Sequence, residues 1–162
     1  MIHVILTPLT TKIHPKGFSK TFVDAFLKLS GQTSSLLSYD LNGSPTLNDG
    51  RYISIAHKDE VLVFVISEHK VGVDIERNTP PSKQLIDAYA LNPFTPVKDW
   101  CMKEAYFKMT QDRQYDKVMI PKLSMPHLEI KYDPYFILVL IEDYDDVKID
   151  IFDGETIRPL PM

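Results

Sequence analysis

Hydrophobic residues recur along this chain with two periods, near two in most of it and near 3.6 in three shorter stretches. Residues 2–6 form a short apolar run that reads as a strand. Residues 52–56 alternate, 61–66 are continuously apolar, and 71–76 alternate again, so three more strands are expected. The connections around Lys58-Asp59 and Glu68-His69-Lys70 are of hairpin length, which predicts an antiparallel meander. Near the C-terminus, 128–131, 135–141 and 147–152 read as further strands. An acidic turn at Glu142, Asp143, Asp145 and Asp146 joins the last two; it lacks EF-hand spacing and reads as a solvated hairpin turn.

The longer period predicts helices. Phe22, Phe26 and Leu29 share a stripe over 20–29, with Ser19 as a candidate cap and Gly31 as a stop. Pro80-Pro81 ends the strand before a short helix over 83–91, capped by Ser82. A second break at Pro93 and Pro96 precedes a helix over 97–110. Residues 32–50 are rich in Ser, Thr, Asn and Gly and read mostly as loop, with turns at Gly43-Ser44-Pro45 and Asn48-Asp49-Gly50. A polar stretch over 111–119 and a loop bracketed by Pro121 and Pro126 complete the pattern. The result is an α+β chain, an antiparallel sheet packed against helices.

Length and composition fit one domain: 162 residues, 44% apolar and 25% charged. The net charge of −4 argues against general nucleic-acid binding. No run approaches the ~20 apolar residues of a membrane span, and no leader sequence is evident, so a cytoplasmic protein is expected. Cys101 is the single cysteine, which leaves no disulfide within the chain. No internal repeat is visible in the sequence.

The chemistry concentrates between Gly72 and Lys108. Strand parity puts Asp74 and Glu76 on one face and Val73 and Ile75 on the other. On the helix over 97–110, Cys101, Met102, Ala105, Tyr106 and Met109 make an apolar stripe. Trp100, Glu104, Phe107 and Lys108 lie on the opposite side. Glu104 and Lys108 are neighbours at i, i+4, a pair that on an open surface contributes only a few tenths of a kcal/mol. His57 ends its strand near the same end of the sheet as Glu76. Two carboxylates on a strand and one on a nearby helix are oxygen donors, which suit a hard cation such as magnesium. Magnesium joins carboxylates to substrate phosphates, and a histidine and a lysine nearby would hold the same phosphates. That set suits transfer at a phosphodiester or pyrophosphate. The alternative from spacing alone is a solvated sheet face with a structural Glu-Lys pair.

Gly72-Val73-Asp74-Ile75-Glu76, followed by Trp100-Cys101-Met102-Lys103-Glu104-Ala105-Tyr106-Phe107-Lys108, resembles the two signatures of the 4′-phosphopantetheinyl transferase superfamily. Ile53-Ser54-Ile55-Ala56-His57 is similar to that family's strand ending in Ser-His, and Gly43-Ser44-Pro45 to its Gly-Lys-Pro turn. The resemblance covers roughly residues 39–110 and is closer to the longer, surfactin-synthetase-activating type. It implies a single domain over 1–162, with two small pseudo-repeated lobes at about 1–70 and 71–162. It also implies transfer of the phosphopantetheine arm of coenzyme A to a serine of an apo acyl or peptidyl carrier protein, with release of 3′,5′-ADP. Under it, Asp74, Glu76 and Glu104 hold magnesium, and Glu104 is the base for the serine hydroxyl. Lys108 neutralises phosphate, His57 contacts a coenzyme A phosphate, and Lys103 matches the motif as a further cofactor-binding position. Ala56 and Ser44 stand where the family has serine and lysine, and Asp74 and Glu104 are only 30 residues apart. These departures favour, as the second reading, a reduced relative that binds coenzyme A or a carrier protein without turnover.

Overall fold

Strand β5 (Val61–Ser67), buried along its whole length, is the spine of the larger of two main sheets in this computed structural model, which describes residues 1–111, 118 and 125–161. Five of its seven residues are β-branched or aromatic, and both of its edges are filled. On one side lies β1 (Ile2–Pro8), antiparallel, with Val4 opposite Val65 and Leu6 opposite Val63. On the other lies β4 (Tyr52–Lys58), also antiparallel, with Ser54 opposite Val65.

Because β1 and β4 take both edges of β5, the expected meander stops there. Strand β6 (Val71–Arg77) crosses instead to a second sheet and pairs with β8 (Tyr135–Ile141), Asp74 facing Leu138. β7 (His127–Tyr132) completes that sheet in the order β6-β8-β7. β9 (Val147–Phe152) returns to the first sheet and runs parallel to β1, so the first sheet is not purely antiparallel. A short strand not expected from the sequence, β10 (Ile157–Pro159), pairs with β9 at the edge.

Three helices complete the fold: α1 (Phe18–Leu29), α2 (Lys83–Ala88) and α3 (Pro96–Thr110). Ser82 caps α2 as expected, its hydroxyl accepting the Leu85 N–H at 3.2 Å. Ser19 does not cap α1, because the helix begins two residues earlier than expected, after Gly17 at φ 81°. The stretch expected as loop over 32–50 contains a small hairpin, β2 (Leu37–Tyr39) and β3 (Pro45–Leu47). Its apolar anchors are Leu37 and Leu47, both buried under α1. The Asp40 carboxylate ties the turn by accepting the N–H groups of Asn42 and Ser44, each at 2.9 Å. The polar stretch over 111–119 and the loop from Pro121 lie largely outside the described residues.

Strand–helix–strand–strand occurs twice, as β1-α1-β4-β5 and β6-α3-β7-β8. In both, the first strand pairs with the last and the last with the third. The change from one unit to the next falls between β5 and β6. β9 and β10 join the first sheet, where β9 fills the open edge of β1.

Inner faces of the two sheets share one core, with Val4, Leu6, Val63 and Val65 meeting Val73, Ile75, Ile137 and Val139. Phe26 and Val23 of α1 cover the other face of the first sheet. Cys101, Met102 and Ala105 of α3 cover the other face of the second. Where the sheets adjoin, β4 lies beside β6, and the buried Ser54 hydroxyl accepts the Val73 N–H at 3.0 Å. Among the described residues, no helix is long and apolar enough to cross a membrane.

Candidate active site

Gly72 sets how closely α3 lies on β6. A Cβ at this position would stand 2.0 Å from the Ala105 carbonyl oxygen, so only glycine permits the approach. Gly72, Asp74 and Glu76 share the face of β6 that meets α3, as strand parity predicts, and Val73 and Ile75 enter the inter-sheet core. The same close contact brings Glu104 and Lys108, on the exposed side of α3, over Asp74.

Asp74 is 6% exposed, and its Oδ2 is buried with no hydrogen-bond partner among the described residues. Burial pushes its carboxyl up to about 7; the Lys108 ammonium opposes this, and the nearby Glu76 and Glu104 carboxylates add to it. Lys108 reaches across to the strand: its Nζ donates to the Val73 carbonyl at 3.1 Å and lies 3.7 Å from Asp74 Oδ1. Glu76 accepts a hydrogen bond from Trp100 Nε1 at 3.2 Å and pairs with Lys58 Nζ at 3.3 Å. Burial, with the Asp74 and Glu76 carboxylates adding, raises the neighbouring Cys101 and keeps it a thiol.

Asp74, Glu76, Glu104 and Lys108 therefore come together. The other two expected site residues stand apart from them. His57 is on the opposite face of β4 from Lys58, its ring edge-on to Phe18 at 5.1 Å and to His14 at 6.0 Å. Burial lowers its basicity, and the nearby His14, Lys108 and Lys58 lower it further. Lys103 is 3% exposed, on the buried side of α3, and does not line the cleft beside Glu104.

That cleft encloses about 730 Å³. One wall is α3, through Glu104, Phe107 and Lys108; another is β4, through Ser54 and Ile55; Tyr89 and the Gly43-Ser44-Pro45 turn close it. The volume lies within the ~300–1,000 Å³ range of small-molecule sites, and its mix of aromatic walls with one acidic and one basic head suits a phosphorylated aromatic ligand. Lys58 and Ser54 are site features that the sequence does not single out: Lys58 sits at a strand end that reads as turn, and Ser54 is visible only as part of the strand ending at His57.

The carboxylate set fits a hard cation in its chemistry. All donors are oxygens, Asp74 Oδ2 has no hydrogen-bond partner among the described residues, and the Glu76 and Glu104 carboxylates add to the upward push on Asp74. As placed, however, no three acidic, histidine or cysteine side chains among the described residues form a group able to hold a metal ion. Lys58, Trp100 and Lys108 supply the counter-charges and donors instead. No family model matches this chain, and no curated protein matches it.

Proposed function

We propose that this protein transfers the 4′-phosphopantetheine arm of coenzyme A to a serine of an apo carrier protein. The observation that carries the proposal is the meeting of Asp74, Glu76, Glu104 and Lys108 where β6 crosses α3, at the wall of a nucleotide-sized cleft. Support also comes from the place of the Gly43-Ser44-Pro45 turn, which lines that cleft opposite α3 although it lies some 60 residues earlier in the chain.

In this reading the serine hydroxyl attacks the phosphorus next to the pantetheine arm. The new ester bond forms as the bridging P–O bond breaks, and 3′,5′-ADP leaves with the electron pair. Glu104 stands where it can take the hydroxyl proton, at the cleft wall and beside Asp74. Lys108 supplies a fixed positive charge to the departing phosphate. Lys58, at the end of β4 and paired with Glu76, adds a donor for outer phosphate oxygens. Tyr89 and Phe107 exclude water from the nucleotide side. Asp74, Glu76 and Glu104 are the residues that would hold magnesium in this reading, once drawn closer together than they stand here, and the ion would supply positive charge to the phosphates.

Incubation with coenzyme A, magnesium and a panel of apo carrier proteins tests the reading by intact mass. A gain of one phosphopantetheine on a carrier is the expected result. No gain on any carrier removes transfer as the function. The second reading, binding without turnover, is favoured by the pairing of Glu76 with Lys58 and of Asp74 with Lys108, which leaves the acidic groups neutralised by the chain itself. Calorimetry showing tight coenzyme A binding with no mass gain would select it.

A further inference from the structure

The second sheet, in the order β6-β8-β7, has two edges. Its β6 edge lies beside β4, where Ser54 accepts the Val73 N–H. Its β7 edge pairs with no strand among the described residues. The register of β7 on β8 decides which backbone groups that edge presents. The Ile141 N–H donates to the Pro126 carbonyl at 3.0 Å, and Ile130 stands opposite Ile137 in the same ladder. Backbone groups alternate along an antiparallel ladder, so Leu128, Ile130 and Tyr132 turn their N–H and C=O toward β8, and His127, Glu129 and Lys131 turn theirs outward. Side chains alternate as well. Ile130 is buried in the inter-sheet core, and Leu128 and Tyr132 pack against that core while partly exposed. Glu129 and Lys131 are exposed on the other face, where Lys98 of α3 pairs with Glu129 at 2.8 Å.

An open strand of 6 residues with no internal proline is a template for another strand, and a lysine commonly blunts such an edge. Here the lysine has its complement two positions away. Consider a second copy that docks its own β7 antiparallel about a two-fold axis. The outward backbone groups meet only when odd-numbered positions face odd-numbered positions. Centring the axis on Glu129 sets that carboxylate against itself, and centring it on Lys131 does the same to the ammonium; like charges directly opposite are destabilising. Centring it on Ile130 sets Glu129 of each copy opposite Lys131 of the other. Each such pair exchanges both backbone hydrogen bonds, and the two Ile130 residues meet between them at the closer, non-hydrogen-bonded position. On the core side Leu128 of one copy comes opposite Tyr132 of the other, an apolar pair. Glu129 keeps its side chain 41% exposed beside Lys98, and Lys131 makes no ion pair among the described residues. We propose that β7 is the interface of a homodimer, paired in the register centred on Ile130. The two second sheets then form one continuous sheet with β6, which carries Asp74 and Glu76, at each far end. The interface is isologous, the form most homodimers take, and its charge pattern fits the same strand reversed.

Sedimentation velocity over a concentration series at low salt tests it. Wild type is expected to reach twice the chain mass. Glu129→Lys and Lys131→Glu, at exposed positions, each set like charges opposite in both pairs. Each should raise the dimer dissociation constant about tenfold or more, with the far-UV circular dichroism of wild type retained. Mixed in equal amounts, the two variants set lysine against glutamate in every pair, so the mixture should recover the wild-type dimer. A wild type that stays monomeric across the series overturns the second copy as occupant and leaves the edge to a strand of another protein. A dimer that both variants leave intact overturns β7 as the interface. Weakened variants whose mixture does not recover overturn the register. The transferase reading stands or falls independently of these outcomes.

Discussion

Replacing Asp74 by asparagine removes a charge that the fold holds in an unfavourable place. The carboxyl is raised from 3.8 to about 7, first by burial, then by Glu76 and Glu104, against the opposing pull of Lys108. A difference of that size corresponds to about 4 kcal/mol at 1.36 kcal/mol per pH unit. The sign follows from proton counting. Between about pH 4 and pH 7 the native state binds the Asp74 proton and the unfolded chain has lost it. Native stability therefore falls as pH rises through that window. Asparagine keeps the shape and does not titrate, and every other ionisable group is common to the two proteins. The stability gap between Asp74→Asn and wild type should thus be small near pH 4 and widen through pH 7. Above pH 7 it should level off with the variant more stable by up to about 4 kcal/mol. Side-chain rotation and water entry reduce this ceiling, so a plateau of 1–4 kcal/mol is expected. For a chain of this size each kcal/mol moves the midpoint by roughly 2–4 °C. Paired thermal melts in EDTA from pH 4 to pH 9 measure it. Magnesium should narrow the gap at pH 8 by stabilising the wild type alone. A gap that does not change with pH, or a variant less stable than wild type at pH 8, would refute the account of Asp74 as a buried, crowded carboxylate.

Other expected outcomes test the frame around that carboxylate. Gly72→Ala drives a methyl into the Ala105 carbonyl, so α3 must lift from β6; urea melts should show a loss of about 3 kcal/mol or more, above the usual range for overpacking because the obstacle is backbone. Ser54→Ala orphans the buried Val73 N–H between the two lobes and should cost about 1–3 kcal/mol, with hydrogen exchange accelerated at Val73. Lys58→Ala removes the ion pair of Glu76 and keeps its hydrogen bond from Trp100, and tryptophan fluorescence should report the changed environment of Trp100 while the melting midpoint moves little.

Much of this arrangement was legible in the residues. A period of two assigned Asp74 and Glu76 to one face, and that face is the one under α3. A period of 3.6 put Glu104 and Lys108 on the side of α3 away from Cys101, Met102 and Ala105, and those three are the buried ones. What periodicity does not encode is which strands pair. β6 follows β5 through a short turn, and the choice of β8 as partner depends on β1 having filled the other edge of β5. The β2-β3 hairpin escaped notice because each strand is three residues long with a single buried leucine. Lys103 reads as a polar residue on a signature helix, and its burial depends on how α3 rolls against neighbours the helix pattern does not name. The site was thus readable through its charged residues, and the cleft beside them was not, since Tyr89 and Pro45 become its walls only once β3, α2 and α3 are placed.

The rate of phosphopantetheine transfer by wild type and by Glu104→Gln, measured side by side as carrier mass gain at matched coenzyme A occupancy, tests the central claim most directly. Glu104 is at the cleft wall, so the variant should keep its melting midpoint and its hold on coenzyme A. Transfer should fall by about 10²–10⁴, the usual contribution of a general base. Equal transfer rates in the two proteins would contradict the assignment of Glu104, and with it the reading of this crossing of β6 and α3 as an active site.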